Sequence, residues 1–317
     1  MAQPLTVTRP LRGTQSLVGQ LGWVFGRPSI IALEVGWRWI FGIPFLLACY
    51  AQLGKILTLL PPETAGLTRI DAQNPWVASV QLAHAAELYR PHVLALLRWL
   101  LPVAGLAWIV VSGLGRSVVL RRLEPDPASR LPFRPLQMMV LQAAWLAVVG
   151  ITWWGWFRSM EWVAATHLPT SGEPDLIGFS IWLIFLSLGF FTAWALVSWP
   201  LSIAPVLMLV EKRSAVSALL ESFRLGSPFT GKLVEINLVM GIVRLALVVL
   251  AMVFSAAPLP FSDELGGDAL HVVWAGSVVF YLVANDYFQI VRLKGLMEFW
   301  KMFRTTCGGA DARGRLA

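Results

Sequence analysis

The sequence predicts an all-α protein: a polytopic membrane bundle of six transmembrane helices, with short amphipathic helices at the membrane interface. Hydrophobic residues make up 57% of the 317 residues and charged residues only 14%, whereas a soluble domain contains about half and about a quarter of these classes. Crossing ~30 Å of hydrocarbon takes roughly 20 apolar residues in a helix, and six stretches of this kind follow one another. None alternates with the period of two that a barrel strand shows, so we expect helices.

The six predicted spans form one transmembrane domain, residues 30–291, between an amino-terminal arm, 1–29, and a basic tail, 292–317. They are Ile30 to Leu53, Val93 to Leu114, Leu136 to Phe157, Ile177 to Val210, Leu233 to Ser255 and Ala269 to Val291. Helices of this length satisfy their own backbone hydrogen bonds inside lipid.

Lysine and arginine in the connections predict the orientation, because short loops rich in these residues stay in the cytoplasm. The arm, the second and fourth connections and the tail are basic, through Arg9, Arg12, Arg27, Arg116, Arg121, Arg122, Arg130, Arg134, Lys212, Arg213, Arg224, Lys232, Arg292, Lys294, Lys301, Arg304, Arg313 and Arg315. The other connections are poor in them, and Arg69, Arg90 and Arg158 are among the few. We therefore expect both termini to be cytoplasmic, in the inner membrane of a bacterium.

Amphipathic segments flank the spans. Leu17, Val18, Leu21, Val24 and Phe25 recur at helical spacing before Arg27 and Pro28, which predicts a helix on the cytoplasmic surface. On the outer side, Pro75 introduces Trp76, Val77, Val80 and Leu88, which predict a second surface helix.

Polar and charged residues inside the spans are few, and each is costly in lipid unless it is paired or hydrated. They fall in the cytoplasmic half of the bilayer: Glu34, Arg38, Asn237, Arg244, Asn285, Asp286 and Gln289. Glu34 and Arg38 are one helical turn apart, which predicts an ion pair. We expect the first, fifth and sixth spans to meet through this set, with Asp286 neutralising Arg38 or Arg244.

Two interpretations of this set stay open. As interhelical hydrogen bonds, such residues contribute about 0.6 kcal/mol each and fix the packing of the helices; this interpretation is favoured. As a site, a buried Asp beside Arg and amides would bind a lipid headgroup phosphate or a small anion, or would relay a proton.

The fourth connection carries the most specific motif. Pro205-Val-Leu-Met-Leu-Val-Glu211 closes the fourth span, and Ala215-Val-Ser-Ala-Leu-Leu-Glu-Ser222-Phe223-Arg-Leu follows. This pattern resembles a group of bacterial six-span proteins that includes the membrane domain attached to some glycerophosphodiester phosphodiesterases. In that group a Pro and a Glu at the end of one span precede an Ala, Ser and aromatic pattern on a short cytoplasmic helix. The resemblance covers about residues 194–250; it implies the six-span fold and no catalytic residue.

The same connection also has a physical interpretation of its own. We expect a helix whose apolar face lies on the cytoplasmic floor of the bundle, formed by Ala215, Val216, Leu219, Leu220 and Phe223. Glu211 is predicted to cap this helix through the amides of Ser214 or Ala215, a contribution of about 1 kcal/mol. A pair with a cation of a neighbouring helix, or a functional carboxylate, are the alternatives.

Motifs for catalysis or cofactors do not occur in the sequence: there is no P-loop, no Gly-x-Ser-x-Gly and no His-Glu-x-x-His. Cys49 and Cys307 are predicted on opposite sides of the membrane, and His84, His92, His167 and His271 lack metal-ligand spacing, so no cofactor is expected. The net charge of +7 is attributed to orientation and to contact with an anionic leaflet rather than to nucleic acid.

These observations predict a non-enzymatic membrane scaffold or accessory subunit, which binds a membrane-protein partner or lipids through its cytoplasmic amphipathic helices. The alternative is a small transporter or lipid-handling protein that uses the intramembrane polar set.

Overall fold

The structure is a computed structural model that describes residues 13–67, 75–124, 130–167, 175–225, 227–256 and 267–314. These ranges contain helices and no strand. The helices are α1 (Gly13–Phe25), α2 (Pro28–Leu59), α3 (Pro75–Arg122), α4 (Pro135–His167), α5 (Leu176–Val210), α6 (Ala215–Phe223), α7 (Ser227–Ala256) and α8 (Gly267–Gly314).

Five helices are long and apolar enough to cross a membrane: α2, α3 from Gln81, α4, α5 and α7 over Glu235–Val253. Their apolar side chains point outward, since no more than 11% of the residues in any of their most apolar windows are buried. Leu46, Ile151 and Phe185, for example, are about two-thirds exposed, at 66%, 67% and 68%. An apolar exterior of this kind is the surface of a multi-span membrane protein. Within the described ranges α8 is not among the five, so the predicted sixth span is not established by its length and composition.

Prolines and caps define where the helices begin. Pro28, Pro75 and Pro135 are the first residues of α2, α3 and α4, a position where the missing N–H has no partner to lose. Asp175 caps α5, because its Oδ1 accepts a hydrogen bond from the amide of Gly178 at 2.8 Å. At the start of these four helices, the sequence itself therefore disfavours extending the helix further toward its amino terminus.

The predicted outer surface helix is not separate, because α3 runs without interruption from Pro75 to Arg122 and includes it. Pro91 and Pro102 both lie inside this helix. Proline is tolerated in membrane helices, where neighbouring groups satisfy the freed carbonyls. The prediction was right about where the segment starts and wrong about where it ends.

The helices α2 to α5 pack in chain order, each against the next, and α7 packs against α8. The α7–α8 pair joins the rest mainly through α1 and α2. We call the end of the bundle that carries α6 the α6 end. All of the largest fully buried side chains of the described residues lie in its half: Leu120, Leu123, Met138, Ile203, Leu207, Met208, Leu209, Ile236, Ile290 and Leu296.

Two glycines bring α3 close to its neighbours. A Cβ atom added at Gly115 would overlap the indole of Trp37 on α2, and one added at Gly113 would lie 3.1 Å from Cα of Met139 on α4. Small residues at such positions let membrane helices approach closely. The spacing of α2, α3 and α4 thus depends on these two residues.

The amphipathic helix α1 does more than rest on the surface. Val24 is fully buried in the core and Leu21 packs against that core, while Val18 and Phe25 remain exposed. The hydroxyl of Tyr287 on α8 donates to the carbonyl oxygen of Leu21 at 2.9 Å. The helix is therefore tied to α8 at the α6 end.

The buried face of α6 differs in part from the predicted one, since Ala215 is buried and Leu219 packs against the core as predicted, but the other three predicted residues are exposed. Ala215, Ala218 and Ser222 are buried, whereas Val216 and Phe223 are exposed, as is Leu220. The small residues face α5 and α4 because they permit close packing, and Ser222 satisfies its hydroxyl by donating to the carbonyl of Leu219 at 2.6 Å. The larger apolar side chains are left pointing away from the bundle.

Candidate functional site: a charge cluster between the helices

A fully buried carboxylate forms the centre of the candidate site. Glu34 on α2 is 0% exposed. Its Oε1 accepts from Nε and Nη2 of Arg38 at 2.9 and 2.7 Å, and its Oε2 accepts from Nε1 of Trp37 at 2.8 Å. Arg116 on α3 adds a longer charge contact, with Nη1 3.8 Å from Oε1. The predicted Glu34–Arg38 ion pair is confirmed, and Glu34 is surrounded by donors.

Arg38 extends this centre to α8. Its Nη1 lies 2.8 Å from Oδ1 of Asp286, whose side chain is 5% exposed. One guanidinium thus holds two carboxylates on two helices, in the charge-assisted geometry that makes arginine pairs strong. The first of the two pairings predicted for Asp286 is present in the structure.

Two further arginines lie beside this group. Arg244 on α7 donates to Oε1 of Gln289 on α8, and Arg292 on α8 donates through Nη2 to Oγ of Ser202 on α5 at 2.9 Å. The guanidinium charge of Arg292 interacts with those of Arg244 and Arg116. We define the charge cluster by these residues and the previous ones: Glu34, Arg38, Arg116, Arg244, Asp286, Gln289 and Arg292.

The charge cluster contains more positive than negative charge. Both of its carboxylates contact Arg38, and no carboxylate of the described residues lies within 4 Å of the guanidinium of Arg244 or Arg292. Four arginines therefore face two carboxylates. Unbalanced charge between helices in a membrane is costly, so the arrangement favours a negatively charged ligand.

Several buried donor atoms near the cluster have no acceptor. Nη1 of Arg116 and Nε of Arg292 form no hydrogen bond, and neither do Oγ of Ser112 and Nε1 of Trp108. Trp108, Ser112 and Arg116 are spaced one turn apart on α3, so these three lie on one face of that helix. A buried donor without an acceptor costs free energy, and an anion or ordered water would satisfy it.

The remaining residues of the predicted polar set, Asn237 and Asn285, are not part of the charge cluster. Asn237 on α7 has a buried Oδ1 without a hydrogen-bond partner. Asn285 on α8 is half-buried and, in the described part of the chain, makes no hydrogen bond to the charge cluster. The structure therefore brings together five of the seven predicted residues, Glu34, Arg38, Arg244, Asp286 and Gln289.

Arg116 and Arg292 were not in the predicted set. The sequence assigned them to a connection and to the tail, because the apolar stretches end before them. In the structure α3 continues to Arg122 and α8 to Gly314, and both arginines turn inward. The apolar face that continues past the end of each stretch, with Leu120 and Leu296 fully buried, was the signal that could have found them.

The motif at the α6 end forms a local network instead of a pocket. Oε2 of Glu211 lies 2.6 Å from Nε of Arg213, which also pairs with Glu221. Ser214 caps α6, since its Oγ accepts from the amide of Ser217 at 3.3 Å. The predicted cap by Glu211 is therefore wrong, because the nearer Arg213 engages its carboxylate.

Pro205 and Phe223 are the remaining residues of that motif. Pro205 is buried in α5, whereas the ring of Phe223 is 52% exposed. Arg134, which precedes α4, donates through Nη1 to the carbonyl oxygens of Lys212 and Arg213, both at 3.0 Å. This contact ties the α5–α6 connection to α4.

A second ion pair, within α8, also contacts the end of α3. Lys294 is 4% exposed, and its Nζ contacts the carbonyl oxygen of Leu123 at 3.1 Å and Oε1 of Glu298 at 2.6 Å. The same ammonium stands 4.6 Å over the ring of Trp23 on α1. These contacts place the first part of the predicted basic tail in the core.

At the opposite end of the bundle, Asp175 closes the connection between α4 and α5. Its carboxylate accepts from the amide of Gly178 and lies 3.0 Å from Nδ1 of His167. Both contacts hold the pKa of Asp175 below its ordinary value, with the amide of Gly178 as the larger cause. This arrangement is a helix cap at the membrane surface. Nowhere in the described ranges do three His, Cys, Asp or Glu residues form a group that could hold a metal ion.

No protein-family model, curated protein or solved structure matches the chain. The resemblance to the bacterial six-span group stays a prediction.

Proposed function

We propose that this protein binds a phosphate-type anion, either a lipid headgroup or a small soluble anion, in the charge cluster between α2, α3, α7 and α8. The observation that supports it is the positive charge of Arg244 and Arg292, neither of which has a carboxylate within reach among the described residues. Nη1 of Arg116 and Nε of Arg292 are free to donate to such a ligand.

Guanidinium groups suit this ligand. Arginine presents planar, forked donors that match phosphate oxygens, and its charge persists in a membrane. The two carboxylates have a separate role, because Arg38 engages both and thereby fixes α2 to α8. The proposed role of the charge cluster is to bind the anion, with no catalytic step.

The proposed setting is a bacterial inner membrane, with α8 as the sixth span and both termini in the cytoplasm. The basic connections support this orientation, since the described residues Arg122, Arg134 and Arg213 lie at the α6 end. The charge cluster would then lie in the cytoplasmic half of the bilayer, next to the leaflet where anionic lipids attract arginine and lysine.

The test is a binding measurement on the full chain in phosphatidylcholine nanodiscs, with Arg244→Gln and Arg292→Gln as variants. One arm titrates inorganic phosphate calorimetrically, and the other uses native mass spectrometry to quantify retained phospholipid. We expect each variant to weaken binding in at least one arm by about tenfold, the loss of one charged hydrogen bond. Arg158→Gln is the control, because Arg158 is 73% exposed and pairs with Glu161 outside the cluster. Folded variants that bind phosphate and lipid as the wild type does would refute the proposal.

A scaffold or accessory subunit is the second candidate, and α6 is the observation that favours it. Val216, Leu220 and Phe223 form an exposed apolar face on a helix that the bundle holds by its opposite side. Such a face would dock a helix of a membrane-protein partner. If it does, replacing the three residues by serine should remove a stoichiometric companion from native mass spectra and leave the bundle intact; retention of that companion would count against this role.

A further inference from the structure

Beyond the charge cluster, an apolar groove runs along the contact between α7 and α8. Val248, Ala251 and Met252 on α7 and Trp274, Ser277 and Tyr281 on α8 line one cavity of it. The groove includes a second cavity that adjoins the first, lined by Ala251, Ser277 and Tyr281 together with Gly276. A Cβ atom added at Gly276 would meet nothing within 4 Å, so a larger side chain at this position has room to enter the groove.

One end of the groove meets the cluster. On α7, Arg244 precedes Val248 by one helical turn, and on α8, Gln289 follows Tyr281 by about two turns. The hydrogen bond between Arg244 and Gln289 therefore lies at the groove's α6 end. Tyr281, which lines the groove, lies near the guanidinium of Arg244.

The length and polarity of the groove indicate what kind of molecule would fit it. Met252, at the far end of the groove on α7, lies about 12 Å along the helix from Arg244, at ~1.5 Å per residue. Its lining is almost entirely apolar, and its side chains are half-exposed toward the membrane. The occupant therefore has a negative charge at one end and a hydrocarbon chain next to it.

We infer that the anion of the charge cluster is the headgroup phosphate of a membrane phospholipid whose acyl chain lies in the α7–α8 groove. This inference rests on the proposed function, because it identifies the source of the anion bound there. A soluble phosphate would use Arg244 and Arg292 and would be indifferent to the groove.

The test fills the groove and leaves the arginines untouched. Gly276→Leu and Ala251→Leu place side chains in the groove, and Gly189→Leu on α5 is the matched control, because Gly189 is exposed and also has nothing within 4 Å of an added Cβ. The full chain is reconstituted in phosphatidylcholine nanodiscs doped with phosphatidylglycerol. Native mass spectrometry then measures retained phosphatidylglycerol, and calorimetry measures inorganic phosphate.

We expect both groove variants to retain at least about tenfold less phosphatidylglycerol, with phosphate binding and the control unchanged. Unchanged lipid retention in both folded groove variants would overturn the inference, while Arg244→Gln would still report separately on the proposed function. Loss of lipid in Gly189→Leu as well would also overturn it, because the effect would then not belong to the groove. Ser277→Val is the milder variant if leucine prevents folding.

Discussion

Nη1 of Arg38 on α2 lies 2.8 Å from Oδ1 of Asp286 on α8, and this ion pair joins two helices that are far apart in the chain. Both residues lie close to Glu34, so that three charges of alternating sign follow one another between the helices. The pair sets the packing of α8 and also the charge that an anion would meet.

Asp286→Asn should therefore have two opposite effects. Stability should fall by up to about 3 kcal/mol, because Arg38 loses one buried partner, whereas inorganic phosphate should bind several-fold more tightly, because the cluster loses a negative charge. Thermal unfolding and calorimetry of the same nanodisc sample measure both.

Glu161→Gln is the control for that experiment, since Glu161 is 61% exposed and its pair with Arg158 lies outside the cluster. Exposed pairs are worth about 1 kcal/mol or less. An Asp286→Asn protein that melts like the wild type would contradict the structural role of the pair.

Gly115→Ala should destabilise the protein by about 1–3 kcal/mol, because the new Cβ overlaps the indole of Trp37 and overpacking has costs of this order. Trp37 also donates to Glu34, so the change should reach the cluster. Gly150→Ala is the matched control on α4, where an added Cβ meets nothing within 4 Å. Equal melting temperatures for the two variants would refute the close contact of α2 and α3.

Lys294→Met should lower stability by about 2 kcal/mol, since it removes a charged hydrogen bond to Glu298 and a contact with the carbonyl of Leu123. Urea unfolding of Lys294→Met, Glu298→Gln and the double variant gives the coupling energy. Additive effects of the two substitutions would show that the pair contributes nothing.

Asp175 should make the α4–α5 connection sensitive to acid. A carboxylate whose pKa is lowered on folding contributes stability above the unfolded pKa, and that contribution is lost as the pH falls through the folded pKa. The pKa of Asp175 is lowered by the amide of Gly178 and by His167. We expect the melting temperature of the wild type to fall more than that of Asp175→Ala below about pH 4. Parallel curves for the two proteins would contradict this cap.

The membrane class and most helices could be predicted from the sequence, because hydropathy and length determine them directly. The Glu34–Arg38 pair was also predictable, since both residues lie on one helix at fixed spacing. The partner of Asp286 could be narrowed to two arginines only, because the choice depends on how α2, α7 and α8 pack.

Arg116, Arg292 and the orientation of α6 could not be predicted in the same way. The two arginines lie beyond the apolar stretches, where helix continuation depends on tertiary contacts. On α6, apolar periodicity predicted a buried face that included Val216, Leu220 and Phe223 besides Ala215 and Leu219, whereas close packing buried Ala215 together with Ala218 and Ser222. Hydrophobicity is a poor guide to which face is buried when lipid is as apolar as the protein core.

The concentration of buried side chains at the α6 end makes lipid a structural partner of the opposite half of the bundle. There, apolar side chains such as Leu47, Trp154 and Phe185 are exposed, so hydrocarbon covers them. A thinner or less ordered bilayer would loosen this half of the bundle first, while the α6 end stayed assembled. The large buried side chains are concentrated at one end of the bundle, and the other end therefore relies more on the lipid around it.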